Sequence, residues 1–202
     1  ATTEIYTLSL HDALPISGTG ATTATWKGGL GSVSATTTGG HRIAAIVAVN
    51  ALGSTTVGAS RHFWAAPFEQ NGEFGGFGLP SQFSPADTAM CIKGATQTAT
   101  TIGCVVTDAV LTKAQAHRLS IMAQGGLARA VMPSHLASDG DTMFAAATGK
   151  MPLETANDFA ELCHLAATTV SRAIARGIYE ASSLPYPGAQ KAWRDQFAGE
   201  AE

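Results

Sequence analysis

After residue 100 the chain follows a pattern that few architectures accept: a short apolar run, an amphipathic stretch, another short run and a second long amphipathic stretch. Residues 101–107 (TIGCVVT) read as a buried strand, rich in β-branched side chains. Over 112–132, Leu111, Ala114, Leu119, Met122, Leu127 and Val131 recur near helical spacing, and Pro133 stops the run. Residues 142–148 (TMFAAAT) predict a further strand. Residues 153–181 predict a long helix with Pro152 near its start and Pro185 beyond its end. Upstream, residues 43–50 (IAAIVAVN), bounded by Gly39-Gly40 and Gly53, predict one more buried strand. Strands alternating with helices imply an α/β fold. Between them, residues 59–99 show little periodicity and scattered Gly, Pro, Phe and Ser; so long an irregular segment is uncommon in a compact domain and is usually functional or disordered.

Length and charge narrow the function. A chain of 202 residues suits one domain or most of one. The net charge of -3 and the lack of a basic run exclude a phosphate-tracking surface, so no nucleic-acid partner is expected. No apolar stretch approaches the roughly 20 residues of a membrane span. Cys91, Cys104 and Cys163 are odd in number and match no zinc spacing, so free thiols, a cytoplasmic setting and no metal or other cofactor are expected.

Residues 1–16 (ATTEIYTLSLHDALPI) back-translate in one open frame to a string like a sequencing-library adapter. They are expected to be foreign to the domain, with the homologous sequence beginning near Ser17 and its native N-terminal part missing. His11 and Asp12 are therefore set aside as site candidates.

Four places carry candidate chemistry. Thr100 stands where the irregular segment enters a buried strand, as an N-terminal nucleophile precursor requires: its hydroxyl would attack the Ala99 carbonyl, and the released α-amine would then serve as its base. Asp139 and Asp141 flank Gly140 just before a strand, where mutual repulsion would raise one pKa. Lys27, in the glycine-rich 18–34 segment, would place a cation near a developing oxyanion. Asn50 closes an apolar strand and would donate to a reacting carbonyl oxygen. Each also has an ordinary alternative: a strand-start threonine, an Asp-Gly turn, a surface lysine and a satisfied strand-end asparagine.

Taken together, TTIGCVVTDAVLTKAQAHRLSIMAQGGLARAV followed by DGDTMFAAATG, with WKGGLGSVS and VAVNALG upstream, resembles the self-processing aminopeptidases of the DmpA type. It is most similar to the branch containing the 6-aminohexanoate-oligomer (nylon oligomer) hydrolase. The resemblance runs from about Gly18 to Asp195. It implies a four-layer αββα sandwich, truncated at the N-terminus here, and cleavage between Ala99 and Thr100 into two chains that stay together (17–99 and 100–202). It implies Thr100 as nucleophile, supported by Lys27 and Asn50, with Asp139 and Asp141 as the aspartates of the DGD motif. Asp139 is the branch discriminator, since the β-peptide-cleaving branch tends to carry a Gly-Ser-Gly-Asp type segment there. The implied substrate is a peptide or an amide oligomer, and the implied assembly a homo-oligomer. Ala99 departs from the Asn or Gly of several relatives, and Gln124 stands where relatives often have an acidic residue. Acyl transfer like that of the ornithine acetyltransferases, and an inactive truncated fragment, are the alternative readings.

Overall fold

The computed structural model describes residues 20–94, 99–197 and 199. The adapter-like segment lies outside the described residues, as do positions 95–98. Four strands form one sheet in the order β1-β2-β3-β4, with β1 at Gly29–Thr36, β2 at Arg42–Val49, β3 at Ile102–Ala109 and β4 at Thr142–Met151. β1 with β2 and β2 with β3 are antiparallel; β3 with β4 is parallel, joined through helix α1 at Lys113–Ala130. Helix α2 spans Ala156–Tyr179 and a short α3 spans Trp193–Phe197. The α/β class expected from the sequence is the class observed.

Period-two burial shows which face carries the core. Val33, Ile43, Ala45, Val47, Val49, Val105 and Met143 point to the side where α1 and α2 pack, and join Leu119, Leu127, Leu162, Val170, Ile174 and Ile178. β1 was not legible as a strand. Its buried positions include Gly29 and Gly31, because α2 passes so close that a Cβ on Gly31 would overlap the Ala173 carbonyl oxygen. Glycine at inward positions erases the apolar alternation that marks a strand.

The expected helices are correct in kind and shift at their ends. Thr112 and Gln115 form a capping box that starts α1, with Gln115 N–H donating to Thr112 Oγ1 at 3.2 Å and Thr112 N–H to Gln115 Oε1 at 2.9 Å. Thr155 and Asp158 do the same for α2, which moves its start past the residue Pro152 had suggested. β4 runs three residues beyond expectation because Gly149, at φ +66°, lets the strand continue through an irregularity to Met151.

Residues 59–94 hold only a 3-10 turn at Ala66–Phe68, in line with the aperiodic sequence. Arg172 of α2 grips the Glu73 carboxylate through Nε and Nη2, and Phe63, Phe74 and Phe77 gather around the fully buried Trp193, so this segment is tied to the core.

The opposite face of the sheet is uncovered among the described residues. Leu30, Ile46, Ile102 and Phe144 are 43–57% exposed there and line, with Ala48 and Cys104, a hollow of about 230 Å³. A strand face this apolar is the kind that a second layer covers. Cys91, Cys104 and Cys163 are free thiols. Among the described residues no helix is long and apolar enough to cross a membrane, and no group of three or more His, Cys, Asp and Glu is arranged to hold a metal.

Candidate active site

The end of the sheet where β2 finishes and β3 and β4 begin brings four of the five expected residues together. Asn50 directly follows β2, Thr100 precedes β3, and the Asp139-Gly140-Asp141 turn precedes β4. The antiparallel β2–β3 and parallel β3–β4 pairings place these three chain positions side by side.

Main-chain bonds fix Thr100. Its N–H donates to the Asn50 carbonyl at 3.0 Å, and the following Thr101 N–H donates to Asp141 Oδ1 at 2.9 Å. Thr142 N–H donates to the Thr101 carbonyl at 2.9 Å, which extends the β3–β4 ladder to the site. Asp141, its side chain fully buried, thus holds the backbone next to Thr100; its second oxygen accepts from His135 N–H at 3.3 Å.

The Thr100 hydroxyl lies 2.6 Å from the carbonyl oxygen of Ala99 and donates to it. Gly140 N–H donates to the same oxygen at 3.2 Å. The Ala99 carbonyl therefore has the hydroxyl of its own C-terminal neighbour beside it and accepts from an independent backbone N–H, and the N–H is the donor that could stabilise charge on that oxygen under attack by the hydroxyl. Gly140 has to be glycine for this: a Cβ there would sit 2.5 Å from Thr100 Oγ1.

Asp139 has a pKa raised to about 6. Burial is the main cause, followed by the Asp141 carboxylate, which repels its negative charge and accepts a hydrogen bond from its protonated form. Both of its oxygens are buried without a well-formed hydrogen bond to an ordinary donor. The expectation that two carboxylates around Gly140 would push one pKa upward agrees with this geometry.

Asn50 is 5% exposed. Its side-chain oxygen accepts from Thr22 N–H at 3.1 Å and from Lys93 Nζ at 2.7 Å, which fixes the orientation of the amide. Lys27 is not a surface lysine: it is 5% exposed, burial lowers its pKa, and its ammonium donates to the neighbouring Gly28 carbonyl at 2.6 Å. It sits at the entry to β1, beside the end of β2. A second buried lysine, Lys93, faces the aspartates: it is 5% exposed, and its pKa is brought down to about 8 by burial and partly restored by Asp139 and Asp141. Lys93 and the Gly140 N–H were missed in the sequence. Lys93 lies in the aperiodic segment, and a backbone donor leaves no mark beyond the glycine that makes room for it.

Residues 17–191 match the family described as Peptidase family S58. The chain belongs to that family. An S58 assignment agrees with the aminopeptidase resemblance read from the motifs around Thr100. The chain is 39% identical over 134 residues to an uncharacterized aminopeptidase of Mycobacterium leprae, covering 65% of this chain and 36% of that protein. Among solved structures, it is similar to the Burkholderia sp. beta-aminopeptidase, with a TM-score of 0.53 and 22% identity over 90% of this chain and 52% of that one. It is also similar to the L-aminopeptidase D-Ala-esterase/amidase of Ochrobactrum anthropi, described as a prototype of the serine aminopeptidases and a variant of the Ntn hydrolase fold. There the TM-score is 0.57 and the identity 19%, over 92% of this chain and 52% of that one. The chain thus spans about a third of the mycobacterial relative and about half of each solved structure. These neighbours agree with the expected αββα sandwich, of which the described residues form one sheet and the helix layer on it.

Proposed function

We propose that this S58 chain is the uncleaved form of an N-terminal-nucleophile amide hydrolase. Thr100 first breaks the bond to Ala99 and then hydrolyses amides carrying a free amino end. The observation that supports this most strongly is the Ala99 carbonyl oxygen, held by the Thr100 hydroxyl and by Gly140 N–H.

In the first stage Thr100 Oγ1 adds to the Ala99 carbonyl carbon, and Gly140 N–H stabilises the oxyanion. The carbon–nitrogen bond then breaks, the hydroxyl proton passes to the Thr100 nitrogen, and Ala99 is left as an ester on Thr100. Water hydrolyses the ester, giving an Ala99 carboxylate and a Thr100 with free amine and hydroxyl. In the second stage that amine takes the hydroxyl proton as Oγ1 attacks a substrate amide. Asn50 and Lys27 are assigned to the oxyanion end, while Asp141 holds the Thr100 backbone and Asp139, its pKa raised to about 6, is assigned to proton transfer.

The proposed substrate class rests on the relatives and on the turn before β4. The named relatives are aminopeptidases, which supports removal of N-terminal residues from peptides. The Asp139-Gly140-Asp141 turn supports extension to aminohexanoate-like oligomers. The test is hydrolysis of amino-acid anilides and of linear 6-aminohexanoate oligomers by the wild type and Thr100→Ala. Release of amine by the wild type alone is expected; equal release by both proteins, or by neither, would sink the proposal.

A further inference from the structure

Lys93 is a buried cation that the scheme above leaves unused. Its ammonium donates to two oxygens of one residue: the Asn50 carbonyl at 3.1 Å and Asn50 Oδ1 at 2.7 Å. Its own N–H donates to the Leu52 carbonyl at 3.0 Å, so the main chain at Lys93 is fixed to the same loop. The Asn50 carbonyl that Lys93 holds is also the acceptor for Thr100 N–H. One lysine therefore touches both the side chain and the main chain that frame the nucleophile. Lysine is costly to bury unless paired, and 5% exposure with these partners marks a built contact rather than a surface side chain folded inward.

We propose that Lys93 is a positioning residue of the candidate site: it clamps both oxygens of Asn50, so that the side chain and the carbonyl that accepts from Thr100 N–H keep one arrangement, and it holds a positive charge near the Thr100 nitrogen. This rests on the hydrolase reading above for its chemical purpose. The clamp itself rests only on the two bonds. The charged groups facing Lys93 are Asp139 and Asp141 of the turn before β4, and both favour the protonated ammonium. The ammonium form makes the clamp, so the wild-type cleavage rate should fall as pH rises through about 8, where Lys93 loses its proton.

The experiment uses Lys93→Met and Lys93→Arg in the 202-residue chain. Rates of self-cleavage are read by intact mass from pH 6 to 10, and the Asn50 side-chain amide is followed by nitrogen-15 NMR. Lys93→Met is expected to slow cleavage about 10- to 100-fold, the loss typical of a charged hydrogen bond, and to abolish the decline above pH 8. Lys93→Arg is expected to recover part of the rate and move that decline above pH 10, because guanidinium stays charged. Cleavage of Lys93→Met at the wild-type rate with an unchanged pH profile would overturn the proposal. So would an Asn50 Nδ2 resonance that does not move in either variant. Should the methionine variant fail to fold, the arginine profile and NMR signal decide alone. A wild type that never cleaves would count against the hydrolase reading, whereas the Asn50 resonance would still test the clamp.

Discussion

Replacing Gly140 by alanine would place a methyl carbon 2.5 Å from Thr100 Oγ1, 3.4 Å from its Cγ2 and 3.5 Å from its Cβ. Only the hydroxyl contact is impossible. A carbon–oxygen contact relaxes to about 3.3 Å, so Oγ1 must move by about 0.8 Å or rotate away from the Ala99 carbonyl. Misplacing a reacting atom by about 1 Å costs about 100-fold in rate, or about 2.7 kcal/mol of barrier. The fold has no reason to suffer. Gly140 is not among the positive-φ residues, and alanine in an ordinary conformation stabilises by about 0.4–1 kcal/mol through the unfolded chain. Gly140→Ala should therefore melt at or slightly above the wild-type temperature while its self-cleavage, followed by intact mass, slows about 100-fold. A folded variant that cleaves within about threefold of wild type would refute the placement of Oγ1 against the Gly140 backbone.

Two further outcomes follow from the packing and the charges. Gly31→Ala should destabilise the chain by about 3 kcal/mol in urea unfolding, at the upper end for overpacking, because the new Cβ meets helix backbone that has no rotamer to change. A wild-type midpoint would contradict the close approach of β1 and α2. Asp139 keeps its proton in the folded chain up to about pH 6, whereas the unfolded chain loses it near the ordinary carboxylate value. The stability it contributes is thus present below about pH 4 and is lost as pH rises through 6. Asp87 and Asp158 have lowered pKa values and contribute with the opposite sign, so the comparison must be between proteins. Wild type minus Asp139→Asn should be larger at pH 4 than at pH 6.5, and an equal difference at both would count against the raised pKa.

Much of the site was legible because its residues sit at strand ends. The apolar runs locate β2 and β3, and the residues that border them, Asn50 and Thr100, become neighbours once those strands pair antiparallel. The same logic places Asp139 and Asp141 at the mouth of β4. What could not be read depends on contacts that leave no periodic trace. β1 hides behind Gly29 and Gly31, whose burial is dictated by the path of α2. Lys93 reaches the site from a segment with no regular structure, so neither spacing nor amphipathicity marks it. Lys27, chosen as the cation from its glycine setting, is buried as a functional lysine would be, and its ammonium donates to the Gly28 carbonyl beside the end of β2. Lys93 adds a second buried lysine that faces the aspartates.

In the proposed chemistry the bond between Ala99 and Thr100 breaks by the action of Thr100 itself. The direct measurement is the intact mass and N-terminal sequence of the purified 202-residue chain over prolonged incubation, beside Thr100→Ala. The wild type should yield two pieces, one beginning Thr-Thr-Ile-Gly, while Thr100→Ala stays whole. A wild type that remains a single chain, is cut at another bond, or is matched by Thr100→Ala would contradict the account.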